Sequence, residues 1–408
     1  MSFAGQVAIT IAVRVAIIAA GLTSSVITAR FLGPEGRGEF FFWTTLAAFA
    51  IQFGNLGLHS SNTHLFAKQR VSLSVLLANT ACVSLVVACV VAGCVAVVGL
   101  LFPDNLSGRW SYLVPTMVLI PTGLYFMLGT NLLVASDRIN DYNAFELTNR
   151  MMSVVAICVA VYLWRSAQSA LLATGVVSLL LSLALHLHLV RQAGTAKPSY
   201  QLFRQGFGYA LRAYVAAALA FFVMRINVFL LESKVSSEVF GIWSVATQLF
   251  EVLVVIPGAF ALVLLPRLMK SGRPFELMRS QARSILVLMI AISGAVILAG
   301  DVVIEFLYGP EYSDAYDLLL VSLPGAIAVG VVTVISQYLA AEGMPYQLVW
   351  TWFVALGFQW GGAVFAIEAF GAKGAMMALS ATYLLLWVLI WRLALAVSKK
   401  HGENIVKR

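Results

Sequence analysis

Residues 75–102 read VLLANTACVSLVVACVVAGCVAVVGLLF, twenty-eight positions without one charged side chain. A helix rises about 1.5 Å per residue, so about 20 apolar residues cross the hydrocarbon core of a bilayer and this stretch is long enough to do so. A second uncharged run, 318–341, is also long enough. Across the 408 residues, 61% are hydrophobic and 11% charged, against about 25% charged in a soluble globular chain. The fold class that follows is an all-α integral membrane protein.

Apolar runs bounded by charge, Pro or Gly give twelve spans, at 7–28, 39–60, 73–102, 111–135, 150–165, 169–190, 207–231, 240–266, 284–307, 316–341, 348–370 and 373–397. The fifth is short, and no connection is long enough for a soluble domain. Residues 1–28 lack a basic leader and a small-residue cleavage site, so the first span is expected to be retained. Charge inside a span is costly, so the 26 Lys and Arg collect at span ends. With a cytoplasmic amino terminus, eighteen fall on inward connections and the tail, among them Arg70, Arg279, Arg283, Arg392, Lys407 and Arg408, and six fall outward. That bias places both termini in the cytoplasm. The basic residues sit on many short loops instead of one face, which speaks against a nucleic-acid partner despite the net charge of +8. Cys82, Cys89, Cys94 and Cys158 lie in apolar segments without ligand spacing and read as packing residues.

The chain also repeats itself across its midpoint. Gly38-Glu39-Phe40 opens the second span and Gly241-Ile242-Trp243 the eighth; Ala135-Ser136-Asp137 closes the fourth and Ala341-Glu342-Gly343 the tenth. The offsets, 203 and 206 positions, indicate two pseudo-symmetric six-helix halves: 1–190, a cytoplasmic linker at 191–206, 207–397, and a tail at 398–408. Even-numbered halves share one orientation and suit alternating access.

Between the first two spans lies Ala29-Arg30-Phe31-Leu32-Gly33-Pro34-Glu35-Gly36-Arg37-Gly38-Glu39-Phe40. Pro34 stops helix continuation, and Gly33, Gly36 and Gly38 permit positive φ, so the stretch reads as a tight external turn. It resembles the first external loop of bacterial polysaccharide-repeat-unit flippases, where an AR-x-LGPE-x-x-G-x-aromatic phrase is common. Met224-Arg225-Ile226-Asn227-Val228-Phe229 with Val239-Phe240-Gly241-Ile242-Trp243 resembles a second segment of that family, except that Asn227 stands where Asp is usual and Trp243 where Tyr is usual. The resemblance implies the transporter superfamily that also holds multidrug antiporters and lipid II flippases. It further implies an undecaprenyl-pyrophosphate-linked oligosaccharide as cargo, moved to the periplasmic leaflet of the bacterial inner membrane for surface-polysaccharide assembly. Membrane lipids, a polysaccharide polymerase and chain-length proteins are the implied partners; no cofactor or metal is implied.

A diphosphate headgroup with a glycan needs cations and amides facing inward. Arg14 lies about 10 Å into the first span and Arg225 about 9 Å from the outer end of the seventh. A guanidinium matches phosphate oxygens with paired donors, whereas the competing reading has each side chain snorkel to the nearer interface. Arg30 and Arg37 either meet the headgroup as it leaves or serve only the turn. Gln52, Asn55 and His59, three and four apart, form a polar stripe for sugar hydroxyls or for helix association. Glu251, near the midplane of the eighth span, either carries a coupling proton or pairs with an arginine. No HExxH, GxSxG or P-loop match supports the rival class, a membrane enzyme. A multidrug antiporter of the same superfamily and a non-transporting scaffold in polysaccharide assembly remain as alternatives.

Overall fold

The computed structural model describes the backbone of residues 3–69, 71–101 and 109–406. Arg70, Phe102, Lys407 and Arg408, used above for topology and span ends, lie outside the described residues. The described chain is helical: α1 (Phe3–Gly54), α2 (Leu58–Gln69), α3 (Leu73–Leu101), α4 (Trp110–Ala135), α5 (Ile139–Trp164), α6 (Ala167–Ala193), α7 (Tyr200–Glu232), α8 (Ser237–Lys270), α9 (Pro274–Tyr308), α10 (Asp314–Ala341) and α11 (Tyr346–Val406), with a short 3-10 turn at Pro310–Tyr312. Ten of these carry segments long and apolar enough to cross a membrane. In α1 and α11 those segments run to 43 and 54 residues, about twice what one crossing takes. Both helices change direction inside, at Gly33 and at Gly371. Twelve crossings result, as the apolar runs require.

The turn at 29–40 is tighter than the sequence suggests. Helix continues up to Leu32 and resumes at Pro34, and only Gly33 leaves helical space (φ 67°, ψ 178°), while Gly36 and Gly38 stay helical. Arg37 reaches across the hinge, donating to Thr28 Oγ1 at 3.0 Å and to Ser25 Oγ at 3.3 Å. Residues twelve apart would stand about 18 Å apart along a straight helix, so these bonds require the two limbs to fold back on one another. The guanidinium is buried, 3% exposed, and lies over the Phe41 ring.

Three expected spans need correction. The fifth begins at Ile139, not at 150. Its polar first turns are stabilised by neighbours: Asp141 pairs with Arg138 and His188, and Glu146 is hydrogen-bonded by Thr130. The second span ends at Gly54 instead of 60, because Leu56 (φ 48°) and Gly57 (φ 76°) turn the chain before α2 starts. The ninth helix likewise starts at Pro274, ten residues before its apolar run.

The chain forms two compact units, the first up to Tyr214 and the second from Val215 onward. In the first unit α4 packs against α1, α2, α3, α5 and α6; in the second, α10 packs against α8, α9 and α11. Each of these is the fourth crossing of its unit. The two units also share backbone detail. At the end of α4, Ser136 N–H donates to Leu132 O and Arg138 N–H to Leu133 O; at the end of α10, Glu342 N–H donates to Tyr338 O and Met344 N–H to Leu339 O. All four positions recur 206 residues on. So does the left-handed residue between the fifth and sixth crossings of each unit, Arg165 (φ 45°) and Gly371 (φ 56°).

The first unit also takes in the segment after α6. Asn79 on α3 accepts from Ser199 N–H through Oδ1 at 2.7 Å and donates to Ser199 O through Nδ2 at 3.2 Å. This reciprocal pair fixes the start of α7. Asn79→Ala removes both bonds and leaves a half-buried backbone amide unmatched, a loss of about 1 kcal/mol. Faster proteolysis within 194–199, at unchanged cleavage elsewhere, is the expected readout.

Candidate functional site

Polar chemistry within the spans gathers at one place in each unit. In the first, Arg14 on the amino-terminal limb of α1 is exposed and donates to Tyr142 Oη on α5 at 3.0 Å. One helical turn further along α5 stands Glu146, bonded to Thr130 of α4 and within electrostatic reach of Arg14 and Arg150. A cation from α1, a phenol and a carboxylate from α5 and a hydroxyl from α4 therefore converge. Such a cluster can bind an anion through Arg14 while Glu146 balances its charge when no anion is present.

The amide stripe expected along the second span is broken. Gln52 belongs to α1, Asn55 to the turn, and His59 to the first turn of α2. Asn55 Oδ1 accepts from His59 N–H at 3.2 Å, so its carbonyl caps α2 instead of facing a cargo path. His59 stays exposed, with Asn131 Nδ2 of α4 at 3.5 Å from its Nε2. Gln52 is half-buried and Arg30, beside the hinge, is exposed. The geometry brings His59 to Asn131 and Arg14 to Tyr142, and commits Arg37 to the turn.

In the second unit Arg225 on α7 meets Glu251 on α8, Nη2 to Oε2 at 2.8 Å, with the two side chains 18% and 24% exposed. The buried phenol of Tyr383 on α11 lies within electrostatic reach of both. Two residues along α7, Asn227 sits at 1% exposure. It donates to Ala375 O at 2.8 Å and accepts from Gln359 Nε2 at 2.7 Å. Gln359 is itself wholly buried, and its Oε1 has no hydrogen-bond partner among the described residues. An amide at 227 suits this network: it donates and accepts at once, which an ionised carboxylate cannot.

Tyr142, Glu146, Gln359 and Tyr383 were not singled out from the sequence. The signal for the first two was the spacing of Arg138, Tyr142 and Glu146, which repeats every four residues and marks a helix with a polar face. For Gln359 it was a lone amide amid the apolar run 348–367.

A family model described as a polysaccharide biosynthesis protein matches residues 4–271. No curated protein sequence matches the chain. Among solved structures, an inward-facing multidrug resistance MATE family transporter of the MOP superfamily superposes with TM-score 0.75 at 13% identity, covering 93% of this chain and 95% of the other. Lipid II flippase MurJ, in an inward closed conformation, gives TM-score 0.71 at 15% identity over 93% and 86%. The Vibrio cholerae MATE transporter VcmN gives 0.61 at 14% identity over 98% of both chains. At these identities the likeness is one of fold.

Proposed function

Because the chain belongs to the polysaccharide biosynthesis protein family, we propose that it is a flippase. Its cargo is an undecaprenyl-pyrophosphate-linked oligosaccharide, moved from the cytoplasmic to the periplasmic leaflet of the inner membrane by alternating access. The match over residues 4–271 carries this reading. The polar groups within the spans agree with it chemically. Arg14 and Arg225, on the helices that open the two repeats, take the diphosphate with paired N–H donors. His59 and Asn131 supply hydrogen bonds for sugar hydroxyls. Arg37 and Asn55 serve the fold, the first as a clamp on the hinge and the second as a cap. Gln52, on the second crossing, and Arg30, at the end of the first, remain assigned to glycan and headgroup contacts.

The same fold serves multidrug transporters, and that reading calls for carboxylates open to a cationic cargo. Glu251 is held by Arg225 instead. Each unit then offers an arginine and a carboxylate together, a balance suited to an anionic headgroup that displaces the carboxylate.

Purified protein in liposomes carrying a short undecaprenyl-pyrophosphate glycan tests the proposal, with the sugar scored by an external glycosidase. Wild type is expected to change the accessible fraction of glycan, and Arg14→Ala to lose this while remaining folded. Wild-type protein that leaves the glycan in its original leaflet under imposed proton and sodium gradients would refute the flippase. Transport by Arg14→Ala at the wild-type rate would remove Arg14 from it.

A further inference from the structure

A cleft of about 660 Å³ within the second unit, lined by neither Arg225 nor Glu251, is built by α9, α10 and α11. From α9 come Arg279, Ala282, Arg283 and Leu286, at spacings of three and four and so on one helical face. Facing them on α11 are Leu384, Trp387, Val388 and Trp391, again on one face, with Arg392 at the end. Val331 of α10 forms the floor. The cleft is therefore graded. Three guanidiniums stand at one end, and an indole-lined apolar slot runs from them for about 12 Å, the rise of the eight residues from Arg392 to Leu384.

Arg279, Arg283 and Arg392 are all exposed, and none makes an ion pair among the described residues. Three like charges gathered without a counter-charge repel one another, and their arrangement is favourable when an anion lies between them. A neutral lipid leaves that repulsion in place, and a single phosphate answers only part of it. A diphosphate linking lipid to glycan carries two negative charges and answers most of it, with oxygens for the paired donors of each guanidinium. The apolar slot beside them takes a chain, not a sugar. By the charge bias of the sequence this end of α9 and α11 is the cytoplasmic one, where an undecaprenyl-linked precursor begins.

We propose that this cleft is a loading site for the polyprenyl diphosphate end of the cargo. Arg279, Arg283 and Arg392 hold the diphosphate, and the first isoprene units lie along Trp387, Trp391 and Leu384. This rests on the flippase reading for the identity of the lipid. The site is separate from the Arg225–Glu251 pair and precedes it in the transport cycle.

The test is native mass spectrometry of the full-length protein in detergent with three probes: undecaprenyl diphosphate, undecaprenol and phosphatidylglycerol. Wild type is expected to retain undecaprenyl diphosphate at least about tenfold more tightly than either other lipid, the ratio that one well-made charged contact supplies. The Arg279→Gln/Arg283→Gln/Arg392→Gln variant is expected to carry one bound undecaprenyl diphosphate fewer than wild type, keeping only what Arg14 and Arg225 hold, with undecaprenol binding unchanged. An Arg→Lys triple variant keeps the charge, and its intermediate affinity would show that the loss is not one of folding. Trp391→Ala is expected to weaken undecaprenyl diphosphate without changing the rank of the probes.

Equal binding of undecaprenyl diphosphate by wild type and the Gln variant would overturn the proposal. So would phosphatidylglycerol binding as tightly as the diphosphate, which would make the cleft a general anionic-lipid site. A protein that fails the liposome assay yet shows the diphosphate preference keeps the cleft and loses the flippase. One that flips glycan without the preference does the reverse.

Discussion

Arg225→Ala is expected to abolish export of the lipid-linked glycan, and Glu251→Gln added to it is expected to return the protein to the membrane without returning export. The pair sits in α7 and α8 with its oxygen and nitrogen 2.8 Å apart and about four-fifths of each side chain out of contact with solvent. Removing the guanidinium alone leaves a carboxylate with too little water to replace it, at a cost of about 1–3 kcal/mol. A loss of that size lowers abundance several-fold in a cell. Export would then fall for a reason unconnected with cargo. Gln at 251 removes the stranded charge, so the double variant isolates what Arg225 does beyond neutralising Glu251. If it holds the diphosphate, the double variant is abundant and inactive. Wild-type export by the double variant would show that the pair is structural only. Glu251→Gln alone addresses coupling: a carrier that moves its proton on Glu251 loses its response to an imposed proton gradient, whereas a carrier that uses Glu251 only as a partner for Arg225 keeps it.

What could be read from the sequence divides along a physical line. The spans came from hydropathy, a property of long averages, and twelve crossings are present where averages placed them. Of the two short matches behind the expected duplication, one falls at a structural joint: Ser136 and Glu342 close their helices with the same backbone bonds. Errors fell where a polar residue inside a helix was read as the end of that helix. Asp141 and Glu146 have partners on other helices, His188 for the first and Thr130 for the second, and a chain read one residue at a time does not reveal who the partner is. Asn55 shows the converse. Its spacing from Gln52 and His59 suited one face of a helix, but Gly54 and Gly57 flank it, and a capping amide beside two glycines describes a break.

The candidate sites were less legible than the fold for a related reason. Arg14 and Arg225 stand out because charge in a span is rare. Arg279, Arg283 and Arg392 looked like ordinary charges at cytoplasmic span ends, and their sequence separation of more than a hundred residues hid that they share one cleft. Arg37 was the reverse case, a charge in an expected external turn that is among the most deeply buried groups of its unit.

That burial bears on the most severe structural prediction, at Gly33. Nothing lies within 4 Å of where a Cβ would stand on Gly33, so a substitution there meets no steric neighbour. The cost is in the backbone itself. At φ 67° and ψ 178° the residue occupies a region that only glycine enters freely, and any other residue forced into it costs on the order of 1–3 kcal/mol. Asn is the diagnostic replacement. It tolerates the left-handed helical region, where φ and ψ are both near +50°, and Arg165 at φ 45° and ψ 39° lies in that region. Gly33 does not, because its ψ is extended. Arg165→Asn is therefore expected to leave the protein at wild-type abundance, while Gly33→Asn and Gly33→Val both deplete it, Val the more so for its branched Cβ. The alternative open to a Gly33 variant is to relax the hinge, which draws the limbs apart and strips Arg37 of Thr28 and Ser25. A buried guanidinium that loses two acceptors is at least as costly as the strained backbone. Both routes destabilise, so no local adjustment rescues the variant. Membrane abundance and thermal unfolding in detergent, measured side by side for the Asn pair, decide the matter: equal behaviour at 33 and 165 would mean that the hinge does not depend on glycine.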